Sequence, residues 1–145
     1  MNISLRQARK EDYRFLWNLH KATMETYVDQ TWGWDENFQK EYFHKHFDEK
    51  EVQIIEKDGA AIGAIETQDK DDKIFLLNLK IDPKFQDNGI GTELIRKMVN
   101  SSEKENKPVE LQVLKVNPAQ KLYERLGFEV IDETETHIVM RRNLV

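Results

Sequence analysis

The hydrophobic positions near the N-terminus change from strand-like alternation to helical spacing. Residues 3–8, "ISLRQA", alternate and predict a short first strand. From residue 11 onward, a different set of positions recurs on one helix face, with Asp12 as a candidate cap. This face consists of Phe15, Leu16, Leu19, Ala22 and Thr23. The pattern therefore predicts one strand followed by one helix.

A second helix is predicted after "TWGWDE" at 31–36, which interrupts the first helical pattern. Asp35 is suited to cap it, because a cap aspartate accepts hydrogen bonds from the N–H groups of a first helical turn. The aromatic positions of this helix are Phe38, Tyr42, Phe43 and Phe47. Phe38 and Tyr42 lie four residues apart, so we expect them either to form the core face of the helix or to line a pocket.

Three strands with two tight turns follow. The strands are predicted at residues 52–57, 60–68 and 73–82. Asp58-Gly59 is a preferred dipeptide for a two-residue hairpin turn, and "DKDD" at 69–72 supplies the second polar turn. The third strand, "KIFLLNLKID", ends at Pro83 because proline has no N–H to donate to a neighbouring strand. We expect these three strands to be antiparallel.

The stretch "FQDNGIGTEL" at 85–94 places two glycines between a strand and a helix. The helix has one apolar face, formed by Ile90, Leu94, Ile95, Met98 and Val99. Residues 108–114 predict the next strand, reached by a parallel crossover. Asn117 and Pro118 then begin a helix that Gly127 closes, and "FEVIDE" and "THIVMRRN" form a last hairpin.

This order of elements predicts a mixed α/β (α+β) sheet. It is strand, two helices, three strands, helix, strand, helix and two strands. A chain of 145 residues is long enough for one well-buried core and too short for two ordinary domains. We therefore expect residues 1–145 to form a single domain.

Composition restricts the function more than the fold. The net charge is −5 without a long basic run, so neither nucleic acid nor an anionic membrane is an expected partner. The chain has no cysteine, which excludes disulfides, thiolate metal sites and cysteine nucleophiles. Apolar runs such as "IFLL" at 74–77 are too short to span a membrane, and the N-terminus lacks a signal-peptide core. We expect a cytoplasmic protein.

The glycine-rich stretch differs from two common phosphate-binding loops. Residues 92–94 after Gly91 are Thr, Glu and Leu, so the lysine of a mononucleotide P-loop and the third glycine of a dinucleotide fingerprint are both missing. Glycines still let backbone N–H groups approach an anion at a helix N-terminus. The pattern therefore indicates an anion-binding turn without identifying its ligand.

Two segments, "LLNLKIDPKFQDNGIGTELIRKMV" and "VNPAQKLYERLGFEV", resemble the signature regions of the GNAT superfamily of acetyl-CoA-dependent N-acetyltransferases. The superfamily loop is Gln or Arg, two residues, Gly, one residue, then Gly or Ala, and residues 86–91 match it. The long strand and proline before the loop, the amphipathic helix after it and the helix from Asn117 to Tyr123 add specificity. The resemblance covers essentially the whole chain and implies a GNAT-like acyl-CoA N-acyltransferase fold.

The resemblance also implies a set of acetyl-CoA contacts. The loop residues expected to hold the CoA pyrophosphate are Gln86, Asp87, Asn88, Gly89, Ile90, Gly91 and Thr92. Leu79, Lys80 and Ile81 are expected to pair with pantetheine through their backbones, and the Leu79 N–H to donate to the thioester carbonyl as an oxyanion donor. Asn117 matches the asparagine that reaches the pantetheine arm, and Lys121 is a candidate contact for the CoA phosphates.

Tyr123 matches the tyrosine that protonates the departing CoA thiolate. A neutral phenol beside the sulfur can give up a proton as negative charge builds there. Structural alternatives exist for each of these residues. Asn117 is also suited to be only a helix cap, Tyr123 only a packing residue, and Gly89 and Gly91 only a strand-to-helix turn.

The general base remains open, because this chain departs from its best-known relatives. Members that modify histone lysines carry a glutamate in the strand before the loop, but "KIFLLNLKI" contains no acid. The candidates are Glu66 on the neighbouring strand, His137 on the last hairpin and a water held by Asn78. His137 has the most suitable intrinsic pKa, although a strand histidine is more often a surface or packing residue.

In the superfamily, the acceptor pocket is shaped by the region between the first two strands and by the last hairpin. Here that region interleaves aromatic rings with carboxylates, which suits a cationic amine. The expected acceptor-site residues are Tyr27, Trp32, Trp34, Asp35, Asn78 and His137. Asp35 is equally suited to cap a helix. "ETYVDQTWGWDENFQ" is similar to a segment of small bacterial GNAT proteins of general type, which names no substrate.

The resemblance thus implies an N-acetyltransferase that moves acetyl directly from acetyl-CoA to a primary amine of a small molecule, an amino-acid derivative or a peptide. Protein N-terminal or lysine acetylation and transfer of a longer acyl group stay open, as does a domain that binds acyl-CoA without turnover. We expect a monomer or homodimer. No metal is expected, since His44 and His46, two residues apart on a helix, point to different faces.

Overall fold

A computed structural model describes residues 2–144 of the chain. Its strands and helices are β1 (Ile3–Gln7), α1 (Tyr13–Trp32), α2 (Glu36–His46), β2 (Val52–Lys57), β3 (Ala60–Asp69), β4 (Ile74–Ile81), α3 (Ile90–Lys104), β5 (Val109–Leu114), α4 (Ala119–Arg125), β6 (Glu129–Glu133) and β7 (His137–Arg142). The strands form one mixed sheet in the order β1-β2-β3-β4-β5-β7-β6. The predicted fold class and element order are confirmed.

The chain divides into two compact units. The described residues of the first unit are 2–66 and 78–86, and those of the second are 67–77 and 87–144. The units do not correspond to two continuous stretches of chain, because β3 and β4 each contribute residues to both. Between residues 2 and 144, no helix is long and apolar enough to cross a membrane.

The first unit contains antiparallel pairing of β1 with β2 and of β2 with β3. The predicted turn dipeptide joins β2 to β3. Asp58 and Gly59 both have positive φ angles, of 52° and 85°, and a two-residue hairpin turn with this backbone twist matches the twist of the strands it connects. Ile54 and Ile55 of β2 are fully buried and form part of the core.

Helix α1 begins directly after Asp12, but this carboxylate does not cap the helix. It accepts two hydrogen bonds from the Arg6 guanidinium, at 2.8 and 2.9 Å, and one from the Arg9 N–H at 2.8 Å. The bonds from Arg6 lower the pKa of Asp12. Asp12 therefore fixes the start of α1 by binding to β1 and to the turn before the helix.

The prediction that Phe38 and Tyr42 form the core face of α2 is wrong. Their side chains are 59% and 55% exposed, and the two rings stack with centroids 6.1 Å apart. The inward face of α2 is formed instead by Phe43 and Phe47, whose ring centroids each lie 5.5 Å from that of Tyr13 on α1. Four-residue spacing identified one aromatic row of α2, but the other row packs against α1.

The second unit contains the predicted parallel crossover. Residues 74–76 of β4 pair in parallel with residues 109–111 of β5, and α3 lies between these strands in the chain. The buried residues of α3 are Ile90, Leu94, Ile95, Val99 and Ser102. β5 pairs antiparallel with β7, and β7 with β6, so the predicted last hairpin is confirmed.

A buried carboxylate in the second unit is compensated by two cations. Glu110 is only 6% exposed. One of its oxygens accepts hydrogen bonds from Arg141 at 2.7 and 3.0 Å, and the other accepts one from the Lys73 ammonium at 3.3 Å. Burial of a charge is costly unless the charge is paired and hydrogen-bonded, and Glu110 meets both conditions.

Gly63 on β3 permits close packing against the backbone of β4. A Cβ atom at this position would lie 2.4 Å from the Lys80 carbonyl oxygen and 3.2 Å from the Ile81 Cα. The first distance is far inside van der Waals contact, so an added methyl group would have to displace the strand. Gly63 therefore fixes where the backbone of Lys80 and Ile81 lies.

We expect Gly63→Ala to lower the free energy of unfolding by about 1–3 kcal/mol, because overpacking forces the backbone to shift. Urea denaturation followed by circular dichroism measures this value. Ala60→Ser, at an exposed position of the same strand, is the control and should change it by less than about 0.5 kcal/mol. A Gly63→Ala protein as stable as the parent would contradict the close packing of β3 and β4.

Candidate functional site

Local hydrogen bonds in the first unit hold the turn after β4. The Asp82 N–H donates to the Ile62 carbonyl at 2.8 Å. The side chain of Gln86, the first residue of the matched loop, donates from Nε2 to the Ile81 carbonyl at 2.9 Å. The Gln86 backbone N–H makes only a long bond of 3.4 Å, to the carbonyl of Pro83. The side chain of Gln86 thus fixes the loop onto the end of β4.

The loop before α3 uses left-handed backbone at two positions. Asp87 has φ of 65° and Gly89 has φ of 77°. Gly89 directly precedes α3, and no side chain caps this helix. The first helical bond runs from the Glu93 N–H to the Gly89 carbonyl at 3.1 Å, so the N–H groups of residues 90–92 precede the first closed turn. Such groups at the positive end of a helix dipole favour an anion.

Gly89 is favoured here by its backbone angle. A Cβ atom at this position would meet no other atom within 4 Å, so crowding within the chain does not demand glycine. The positive φ angle favours glycine, because a left-handed backbone is strained for most residues with a side chain. That the missing side chain also lets a phosphate approach remains a prediction.

Asn117 and Tyr123 lie at the start and in the middle of the α4 region, as predicted. The Asn117 Oδ1 accepts a hydrogen bond from the Ala119 N–H at 2.9 Å, which is the type of bond that the capping alternative requires. Tyr123 is 7% exposed, and its ring packs edge-on against Phe128. Burial raises the pKa of Tyr123 to about 12, so the phenol keeps its proton at physiological pH. Lys121 is exposed on the same helix.

Neighbouring side chains orient the candidate bases. In the first unit, the Glu66 carboxylate accepts a hydrogen bond from the Asn78 Nδ2 at 3.0 Å, so two predicted site residues are in contact. In the second unit, the His137 Nδ1 lies 2.8 Å from the Thr136 hydroxyl, and the His137 N–H donates to the Thr134 hydroxyl at 2.9 Å. His137 is the first residue of β7.

The predicted acceptor aromatics have different environments. Trp32 ends α1 and is 60% exposed, whereas Tyr27 is partly buried within α1. Trp34 packs inward, with its ring centroid 6.1 Å from that of Trp17. Its indole N–H donates to the Glu36 carboxylate at 2.8 Å. The two tryptophans around the glycine therefore do not share one environment.

Asp35 acts as the cap of α2. Its Oδ1 accepts a hydrogen bond from the Phe38 N–H at 3.0 Å. The capping prediction is confirmed, and this oxygen is occupied within the chain. A ligand role for Asp35 remains a prediction that depends on its other oxygen.

A histidine–lysine pair lies outside the set of predicted side-chain contacts. The Lys80 Nζ on β4 lies 2.9 Å from the His20 Nδ1 on α1, and the His20 Nε2 lies 3.1 Å from the Gln39 Oε1 on α2. An amide oxygen can only accept, so Nε2 carries the imidazole proton and Nδ1 accepts from the lysine. One line of hydrogen bonds therefore joins β4, α1 and α2 within the first unit.

The pair is partly withdrawn from water. Three aromatic rings approach the imidazole with centroids 5.5 to 5.9 Å away, and they belong to Phe43, Trp17 and Trp34. Burial, aided by the charge of Lys80, lowers the pKa of His20 to about 4. Burial also lowers the pKa of Lys80 to about 8, against an opposing attraction from Glu66.

Two sequence signals could have identified this pair. His20 lies three residues after Trp17, at the same helical spacing as the core residues of α1. Lys80 is a charged residue between two apolar ones in an apolar strand. Only the backbone of Lys80 was predicted to contact a ligand, because the partner of its side chain lies 60 residues away in the chain.

A family model described as "Acetyltransferase (GNAT) domain" matches residues 21–138. The chain belongs to the GNAT acetyltransferase family. The resemblance on which the site predictions depend is thereby confirmed, while the roles of the individual residues remain predictions. No curated relative matches the sequence.

Solved structures share the fold across nearly the whole of this GNAT domain. The PaiA N-acetyltransferase from Thermoplasma acidophilum, in complex with coenzyme A, has a TM-score of 0.80 at 19% identity, with 99% of each chain covered. The ribosomal-protein-S18-alanine N-acetyltransferase from Escherichia coli has a TM-score of 0.67 at 19% identity, with 99% of this chain and 96% of that chain covered. Arabidopsis thaliana Naa50, in complex with the bisubstrate analogue CoA-Ac-MVNAL, has a TM-score of 0.68 at 17% identity, with 99% of this chain and 100% of that chain covered. At these identities the likeness shows the fold alone.

The desolvated histidine is expected to make this GNAT domain sensitive to acid. The folded-state pKa of His20, about 4, lies below the ordinary value of 6.5. The unfolded chain therefore takes up the proton first, and stability is lost as the pH falls from 6.5 towards 4. The largest possible loss is about 3 kcal/mol.

We expect His20→Gln to remove this part of the acid dependence, because glutamine does not titrate. Urea unfolding at pH 7.0, 5.5 and 4.5 measures the free energy of unfolding for each protein. The matched control is His46→Gln, which changes an exposed histidine at the end of α2 and should keep the parent's pH dependence. An unchanged acid slope in His20→Gln would contradict the desolvation of His20.

Proposed function

We propose that this GNAT domain is an N-acetyltransferase that moves an acetyl group from acetyl-CoA to a primary amine. The acceptor class is a small molecule, an amino-acid derivative or a peptide. The observation that carries the proposal is the GNAT family match over residues 21–138. Within this range, α3 begins after Gly89 without a side-chain cap, at the position that the resemblance assigns to the CoA loop. The coenzyme A in the PaiA N-acetyltransferase structure supports the choice of donor.

Acetyl-CoA fits the start of α3 by charge and by backbone chemistry. A pyrophosphate needs several N–H donors and a positive potential, and the first turn of a helix supplies both. The proposed pyrophosphate ligands are the backbone N–H groups from Gln86 to Thr92, with the left-handed Gly89 turning the chain into the helix. Asn117 would hold the pantetheine arm and Lys121 a phosphate.

Strand β4 would contribute its backbone to the donor. Leu79, Lys80 and Ile81 would pair with pantetheine as with an added strand. The Leu79 N–H would donate to the thioester oxygen, where negative charge develops during transfer. The packing of Gly63 against Lys80 and Ile81 supports this assignment, because it holds the backbone in one position.

The proposed reaction is a direct transfer. The lone pair of the neutral acceptor amine attacks the thioester carbonyl carbon, and the Leu79 N–H stabilises the resulting oxyanion. The C–S bond then breaks as the C–N bond is completed. The amine nitrogen gives one proton to a base and the CoA sulfur receives one from an acid, so the products are an N-acetylated amine and free CoA.

Tyr123 is the proposed acid. Its pKa of about 12 keeps the phenol protonated throughout the physiological range, so a proton is present when the thiolate departs. The ring packs edge-on against Phe128, with the two centroids 5.7 Å apart. A preoriented, neutral donor beside a leaving sulfur is what general acid catalysis requires.

For the base, Glu66 together with Asn78 has the most structural support. The two are hydrogen-bonded at 3.0 Å, on β3 and β4, and belong to the same unit as Leu79. Either the Glu66 carboxylate or a water bound to this pair would take the amine proton. His137 is the alternative base, with its Nδ1 beside the Thr136 hydroxyl.

The acceptor would approach through the region from α1 to α2. Tyr27 and Trp32 are the proposed aromatic contacts, and Trp32 has the exposed ring that a ligand contact needs. Trp34 and Asp35 are oriented by hydrogen bonds within the chain. Each would therefore contact an acceptor only through side-chain atoms that these bonds do not occupy. Asn78 and His137 complete the proposed set.

Titration calorimetry with acetyl-CoA, followed by a primary-amine panel scored for release of free CoA, tests the proposal. We expect acetyl-CoA to bind and to raise the melting temperature by mass action, and at least one amine to be acetylated. Absence of both heat and a melting shift at millimolar acetyl-CoA would refute the donor assignment. Binding without turnover of any amine would favour the acyl-CoA sensor instead.

We expect Tyr123→Phe to lower kcat by about 100-fold or more, because a general acid typically contributes at least that much. The affinity for acetyl-CoA should change little, since only the hydroxyl is removed. Steady-state kinetics and calorimetry measure the two quantities. Tyr13→Phe, which removes a hydroxyl from α1, is the control and should keep the parent's kcat. A normal kcat in Tyr123→Phe would exclude the acid role.

A further inference from the structure

Lys80 has one hydrogen-bond partner for three donors. Its ammonium donates to the His20 Nδ1 at 2.9 Å. Within the described residues, no carboxylate lies within 4.0 Å of the Nζ, in contrast to the nine ion pairs formed elsewhere in residues 2–144. A lysine ammonium carries three N–H groups and no acceptor. Two donors of a partly buried cation are therefore available to a ligand.

Neither neighbour of the ammonium neutralises it. His20 is neutral at physiological pH, since its pKa is about 4, and its tautomer is set by the bond to Gln39. Glu66 attracts Lys80 electrostatically, but its carboxylate is bonded to the Asn78 amide instead. A desolvated charge without a paired counter-charge is costly, and an anion bound at the Nζ would remove that cost.

The ammonium remains the main form of Lys80 near pH 7. Burial lowers its pKa to about 8, so only about a tenth of the molecules carry a neutral amine at pH 7. A group that is mostly protonated is suited to bind an anion and poorly suited to accept a proton. The charge state therefore favours recognition over general base catalysis.

We propose that the Lys80 ammonium binds a carboxylate of the acceptor, so that the substrate class is an amine that also carries a carboxylate. This inference rests on the proposed acetyl transfer. Lys80 directly follows Leu79, the proposed thioester-binding residue, and its side chain is held by His20 rather than by an acid. A single carboxylate matches the single unpaired charge and can accept both remaining N–H donors.

The structure of the first unit suits a preformed anion site. His20 is fixed by Gln39 on one side and by three aromatic rings around it, so it can hold the ammonium without competing for the anion. Gly63 fixes the Lys80 backbone. Preorganised donors lose little entropy on binding, which favours affinity.

The experiment uses matched acid and amide probes of the acetylated product. N-Acetylglycine, N-acetyl-β-alanine and N-acetyl-4-aminobutyrate are each compared with the corresponding amide, by calorimetry on the full chain with and without CoA. We expect at least one acid to bind on the order of 10-fold more tightly than its amide, as for a charge-assisted hydrogen bond. The preferred chain length would report the distance between amine and carboxylate.

Three variants connect the preference to Lys80. Lys80→Met keeps the length of the side chain without its charge and should bind acid and amide equally. Lys80→Arg keeps the charge and should retain part of the preference. Lys45→Met removes an exposed lysine of α2 and should keep the parent's preference. Melting temperatures verify that each variant is folded, because Lys80→Met removes a desolvated charge but also leaves the His20 Nδ1 without its donor.

The pH dependence separates recognition from base catalysis. The titratable or charged groups that face the Nζ among residues 2–144 are His20 from α1 and Glu66 from β3. As the pH rises from 7 to 9, through the Lys80 pKa of about 8, acid binding should weaken roughly 10-fold, whereas amide binding should not change. A base would instead show turnover that rises with pH and depends on Lys80.

Several results would overturn the proposal. They are equal binding of every acid and its amide, a preference that survives in Lys80→Met, and Lys80-dependent activation between pH 7 and 9. Absence of acid binding at millimolar concentration would also overturn it. The probes are also tested without CoA. Failure of CoA to bind would therefore count against the proposed acetyl transfer, while the comparison of acid with amide could still be interpreted.

Discussion

The contact between Gly63 and the carbonyl of Lys80 is the constraint on which the polar centre of the first unit depends. It holds the backbone of β4 against β3 at the point where the Lys80 side chain reaches His20. Through Gln39, the same line of bonds continues to α2. The backbone N–H of Leu79 and the ammonium of Lys80 are neighbours on this strand, so one packing contact positions both groups that we assign to the substrates.

One buried and one partly buried charge in this protein meet the cost of desolvation in opposite ways. Glu110 in the second unit is paired with Arg141 and Lys73, which use both of its oxygens. Lys80 in the first unit has no such partner among the described residues and donates to a neutral imidazole. The first arrangement stabilises the fold without need of a ligand. The second leaves an ammonium that has only the longer-range attraction of Glu66 and no ion pair among the described residues, which is why we associate it with binding.

The GNAT family accounts for the donor half of the proposed site better than for the acceptor half. The loop before α3 and the Tyr123 helix follow the family pattern, and we propose them for the CoA phosphates and for protonation of the thiolate. The strand glutamate that members modifying histone lysines carry is missing from β4. The charged side chain of β4 is Lys80, and its partner His20 precedes the range that the family model matches. Acceptor recognition therefore depends on side chains that the family pattern does not specify.

Features that depend on neighbouring residues were predictable from the sequence. The Asp58-Gly59 turn, the Asp35 cap, the glycine-rich helix start and the order of elements are each determined within a few residues of chain, where backbone sterics and local hydrogen bonds dominate. The resemblance to the GNAT family then predicted how these local elements combine into the whole fold.

Tertiary structure alone decided which helix faces are buried and which polar side chains, distant in the sequence, are in contact. Phe38 and Tyr42 are exposed because α2 presents its other aromatic row to α1, and periodicity cannot tell two apolar rows of one helix apart. The Lys80–His20 bond joins residues 60 positions apart. The desolvation that lowers the pKa values of Lys80 and His20 depends on this contact. Neither side chain loses its water until the strand and the helices pack together.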